Sequence, residues 1–126
     1  MPKIPPRPEI VSHPLYQATM AAQHAAYKIA RELPPDRKAE GARVHVACVH
    51  ATTWATYALE PGAPDRAAAL DNVRASAEEA RRKLEPVAAA AADENDVEAL
   101  TKALDEIEKA LAEVESPATP VSSFPG

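Results

Sequence analysis

The chain has 126 residues and a net charge of −5. Alanine supplies 29 of its hydrophobic residues, whereas Leu, Ile, Val and Phe together number only 22, a level at which charged chains begin to look disordered. One domain fits this length, the single cysteine excludes an internal disulfide or a multi-cysteine zinc site, and three glycines leave no Gly-rich phosphate loop.

Residues 1–12 hold four prolines and little periodicity, so they read as an extended Pro-rich arm. The opening Met1-Pro2-Lys3-Ile4-Pro5-Pro6 has no apolar run behind its charge and does not read as a secretory signal. With a free thiol, this points to the cytoplasm. The longest apolar run, Val87 to Ala92, is far too short to span a membrane.

The first helix is expected from about Pro14 to Leu33, capped by His13 or Ser12. Leu15, Thr19, Ala22, Ala26, Ile29 and Leu33 form one stripe, flanked by Tyr16, Met20 and Tyr27. Pro34-Pro35 ends it. The second helix is expected from about Asp36 to Leu59. It offers two apolar faces. One holds Ala39, Ala42, Val46, Val49, Thr53 and Thr56; its neighbour holds Val44, Cys48, Ala51, Ala55 and Ala58. Val44 to Val49 is also β-like in composition, but the pattern runs for more than twenty residues without a turn signal, so helix is preferred. Glu60 to Pro64 is a loop.

The third helix starts at Pro64-Asp65. Leu70, Val73, Ala77, Ala80, Leu84 and Val87 repeat at alternating spacings of three and four. The phase survives Pro86, which predicts a kink and a continuation to about Ala92. The fourth helix carries Val97, Leu100, Leu104, Ile107, Leu111 and Val114. Asn95 and Glu98 resemble a capping box at its start, and Glu98–Lys102 and Asp105–Lys109 have the spacing of supporting ion pairs. Residues 116–126, SPATPVSSFPG, read as a flexible Pro/Ser tail. The expected architecture is all-α. Residues 13–115 form an up-down-up-down antiparallel four-helix bundle between two Pro-rich tails.

Charge is unevenly spread. Residues 1–64 sum to +2, residues 65–92 to zero and residues 93–126 to −7. The acidity reads as a solvated face, or as a docking face for a basic partner. Arg81, Arg82 and Lys83 form the one compact basic patch, beside Glu78, Glu79 and Glu85. With Arg37, Lys38 and Arg43 they are the candidate nucleic-acid contacts, although binding to phosphates is weakened by a negative net charge.

Catalytic and metal chemistry find little support. No glutamate stands three residues before His13, His24, His45 or His50, which argues against a carboxylate-bridged di-iron bundle. His45 and Cys48 share a helix face, as do Met20 and His24, but neither pair makes a site alone. The reading is therefore of a non-enzyme without a cofactor or metal. Trp54 and Tyr57, three residues apart, are candidate interface anchors, with Tyr16 and Tyr27. Phe124 in the tail is a candidate docking residue for a partner's groove.

The stretch Tyr27-Lys28-Ile29-Ala30-Arg31-Glu32-Leu33-Pro34-Pro35-Asp36-Arg37 resembles the first helix junction of a family of small four-helix bundle proteins. These are the 23S rRNA intervening-sequence proteins and the accessory variability determinants of diversity-generating retroelements. Leu59-Glu60-Pro61-Gly62 is similar to the end of that family's second helix, and Ala75-Ser76-Ala77-Glu78-Glu79 to a segment of its third. The resemblance covers roughly residues 14–92. It implies a bundle that assembles into a ring, typically a pentamer, with nucleic acid or a reverse transcriptase as partner. The expected function is thus a homo-oligomeric interaction or scaffold protein. Alternatives are a nucleic-acid- or reverse-transcriptase-associated accessory protein and an adaptor or cargo protein docking through its tail.

Overall fold

The structure, a computed structural model, describes residues 7–91 and 93–115. Every regular element among them is helical. The arm at residues 1–6 and the tail with Phe124 lie outside the described residues.

The described part of the amino-terminal arm is not extended. Pro8–Val11 forms a short helix, α1, with proline in its first turn, where the missing N–H has no helical partner anyway. Its Ile10 is 2% exposed. Burial of one large aliphatic side chain overrides a composition that reads as an arm.

Helix α2 is Pro14–Glu32. His13 caps it: Leu15 N–H donates to His13 Nδ1 at 3.0 Å. Leu33 and Pro34 turn extended and stop the helix. A single 3-10 turn, Pro35–Arg37, then leads into α3, Lys38–Leu59. Lys38 Nζ donates to the Arg31 carbonyl at 2.7 Å, satisfying an acceptor left over at the end of α2. Gly41 faces α2 at close range. A Cβ there would lie 2.5 Å from Leu33 Cδ1 and 3.0 Å from the Ala30 Cα.

After α3 the chain turns through Gly62 (φ 75°) and Asp65 (φ 54°), both left-handed. Helix α4 is Arg66–Ala88. Pro86 sits in its last turn, and the helix stops two residues later instead of continuing to Ala92. The apolar phase past Pro86 is carried by turns: Ala90 and Ala91 donate to the carbonyls of Val87 and Ala88. Helix α5 is Glu94–Glu115. Asp93, not Asn95, supplies the capping oxygen, accepting from Asn95 N–H at 2.8 Å. Asp93, one residue outside the helix, holds the N-cap position, whereas Asn95 is already inside it.

Helix α2 packs on α3 and α5, and α4 packs on α3 and more lightly on α5. The expected stripes of α2, α4 and α5 are the buried ones. Leu15, Ile29, Val73, Leu100, Leu104, Ile107 and Leu111 are almost wholly buried. On α3 the inward face is Gly41, Val44, Ala47, Cys48, Ala51, Ala55 and Ala58. The other apolar line, with Val46, faces outward.

Ion pairs tie the helices together. Lys28 on α2 meets Asp96 on α5 at 3.5 Å, and Arg37 Nη1 donates to the Pro86 carbonyl at 3.0 Å. Arg81 on α4 bonds Asp105 at 2.6 Å and Glu108 at 3.1 Å on α5. No Asp105–Lys109 pair forms among the described residues. A guanidinium reaching two carboxylates at once outcompetes a single flexible ammonium on the same helix. No Glu98–Lys102 pair forms either among the described residues.

Candidate interaction surface

From Val44 to Leu59, sixteen residues of α3 contain no Asp, Glu, Lys or Arg. Apart from Val44, the buried ones are small, and the aromatic rings turn outward. Val46 is 48% exposed, Trp54 38% and Tyr57 39%; Val49 is half-buried between them. Val46, Thr53 and Tyr57 follow one line of the helix by its period. Beside them on α2, Met20 and Tyr27 are also exposed, and Tyr16 lies on the same line one turn before Met20, half-buried.

Three shallow clefts lie along this surface. One of about 210 Å³ is lined by Met20, Gln23, His24, Tyr27 and His45, between α2 and α3. The Tyr27 and His45 rings are 5.7 Å apart, and the Arg31 guanidinium stands 5.9 Å from the Tyr27 ring. A second, of about 240 Å³, holds Arg43, Val46, Ala47 and His50 of α3 with Glu79 and Lys83 of α4. The third and largest, about 520 Å³, is lined by Trp54, Tyr57, Asp65, Ala68, Ala69 and Asn72. Its two rings meet edge to face at 6.2 Å and 85°. Tyr57 OH donates to the Pro64 carbonyl at 3.1 Å, which fixes the phenol.

The basic candidates are mostly engaged elsewhere. Arg37 holds Glu40 at 3.2 Å and the Pro86 carbonyl, and Lys38 caps α2. Arg81 reaches across to α5, Arg82 pairs with Glu79, and Lys83 lies 3.6 Å from the same carboxylate. For Arg81, partial burial disfavours the charge, but Asp105 and Glu108 more than offset it and raise its pKa. Arg43 has no ion pair among the described residues. Five of the six cations are therefore divided between carboxylates and helix ends; Arg43 stands apart from them, in one cleft with Lys83 and its partner Glu79.

The reactive groups are equally constrained. Cys48 is 1% exposed, and burial pushes its thiol up to about 12, far from the thiolate a nucleophile needs. His45 lies against Tyr27. No group of three His, Cys, Asp or Glu side chains among the described residues is placed to hold a metal ion. No helix among them is long and apolar enough to cross a membrane.

Sequence reasoning found Trp54, Tyr57, Tyr16 and Tyr27, but not the residues that build clefts around them. Ala68 and Asn72 stand more than ten residues beyond Trp54 and carry no signal of their own. The Met20–His24–Tyr27 line, by contrast, has helical spacing and was open to detection. No family model matches the chain, and neither does any curated protein or solved structure.

Proposed function

We propose that the chain is a non-catalytic interaction protein that assembles with copies of itself and serves as a scaffold. The carrying observation is the uncharged outward face of α3, with Val46 and Val49 at its centre and Tyr16, Met20, Tyr27, Trp54 and Tyr57 around it. A clustered apolar and aromatic face rimmed by polar groups suits a protein–protein contact. In this reading α2 to α5 form an up-and-down four-helix bundle. The ties Lys28–Asp96, Arg37–Pro86 and Arg81–Asp105 support it, because each joins segments that antiparallel neighbours bring together. Assembly also supplies the apolar burial that a core rich in alanine lacks. A ring, such as the pentamer of the family it resembles, and a cytoplasmic site of action belong to the same proposal. Sedimentation of the wild type at micromolar concentration tests it. An oligomer that Val46→Glu disperses is expected; a well-folded monomer overturns it.

A second reading rests on the cleft between α3 and α4, where Arg43, His50 and Lys83 face one opening. There the chain would be an accessory protein for nucleic acid or a reverse transcriptase, as the family resemblance implies. Retention on RNA that falls steeply with salt supports this reading, and absence of binding at low salt removes it.

A further inference from the structure

We propose that the cleft built by Trp54 and Tyr57 is the docking site for residues 116–126 of the same chain, with Phe124 as the inserted side chain. This goes beyond self-assembly: with Trp54 and Tyr57 covered by the tail, Val46, Val49, Met20 and Tyr27 remain as the face for contact between copies.

The cleft has the chemistry of a proline-rich ligand site. Two rings at 85° make an aromatic wall and edge. Ala68 and Ala69 leave an open floor beside them, and the Asn72 amide offers a donor and an acceptor to a passing backbone. Aromatic-lined grooves of this kind take extended Pro-rich segments, whose backbone is already stiff and loses little entropy on binding. Residues 116–126 match that need. They contain three prolines, no charged side chain, and Val121 and Phe124 as their largest apolar groups. The lone acid of the cleft, Asp65, therefore meets no like-charged side chain from the segment.

Chain connectivity places the segment within reach. Glu115, the last described residue, pairs with Arg74 on α4. Arg74 is six residues from Ala68, about 9 Å along the helix. The surface to be crossed at this end of α4 carries the small exposed Ala67, Ala68 and Ala75, with the exposed Asp71 between them paired to Arg74. Phe124 stands nine residues beyond Glu115, a span of up to about 30 Å when extended. Half the girth of a helix roughly 10 Å wide is shorter than that. A short tether also presents the segment at on the order of a millimolar, so a free-peptide Kd of about 0.1 mM suffices to fill the cleft in most molecules.

Trp54 is the chain's one tryptophan and reports on the cleft directly. Acrylamide quenching and the emission maximum are compared for the full-length wild type and full-length Phe124→Ala, each also carrying Val46→Glu to separate docking from assembly. Circular dichroism confirms equal helix content. Docking predicts easier quenching and a red shift in Phe124→Ala. A peptide of residues 116–126 added to that variant then restores protection, with a midpoint of about 0.1–1 mM given the tether argument. Equal quenching in both chains, with no response to the peptide, overturns the proposal. Protection that survives Phe124→Ala but fades on dilution also overturns it, and assigns the cleft to a second copy.

Discussion

Helices α5 and α3 have the same length, 22 residues, and opposite designs. Helix α5 buries Leu100, Leu104, Ile107 and Leu111 and turns all its carboxylates but Asp96 to water. Helix α3 buries a glycine, alanines, a cysteine and one valine, Val44, and turns Val46, Trp54 and Tyr57 outward. The first is a surface helix anchored by large side chains. The second is held by close approach, and its larger side chains remain for another surface. Hydrophobicity alone does not separate these cases; the direction in which size is distributed does.

Opposite designs should fail in opposite ways. The largest effect is expected from emptying α5: Leu104→Ala should cost about 2–5 kcal/mol in urea unfolding, because a buried leucine leaves a cavity. Helix α3 should instead fail on filling. Gly41→Val places carbon atoms against Leu33 and the Ala30 backbone and should cost about 1–3 kcal/mol, despite the higher helix propensity of valine. If Gly41→Val is harmless, close approach is not what holds α3.

A smaller effect is expected at His13, which must keep a lone pair on Nδ1 to cap α2. Burial lowers its pKa from 6.5, and the Glu113 charge opposes this more weakly. The unfolded chain therefore binds more protons in the window below 6.5, so this contribution is present above 6.5 and is lost as pH falls through the lowered folded value. His13→Ala should cost about 1 kcal/mol near pH 7.5, and His13→Asn should keep the cap while removing the pH dependence, as thermal melts at several pH values would report. The smallest effect on the isolated fold is expected at the exposed face of α3. Val46→Glu should change the stability of the dispersed chain by no more than about 0.5 kcal/mol, so its effect on assembly is readable by itself.

The stripes of α2, α4 and α5 were legible because large aliphatics recur at helical spacing between charged residues. On α3 two neighbouring lines were equally apolar, and only the requirement for close packing against Ala30 and Leu33 selects the one with glycine and alanine. Pro86 was visible, but not that two residues past it would end the helix. The Asp105–Lys109 pair failed because Arg81, from another helix, takes Asp105. Trp54 and Tyr57 were recognisable as a pair, whereas the cleft around them depends on α4 lying alongside.

The four-residue α1 is too short to persist alone. It stays folded through Ile10, set apart from the main core in a niche with His13, Leu59 and Pro61. That makes it a latch over the carboxyl end of α3, held by one buried side chain and by the exposed Arg7–Glu60 ion pair at 3.3 Å. Amide exchange and protease nicking should begin there, and a fusion joined close to Arg7 would strain the latch before it disturbed any other part of the molecule.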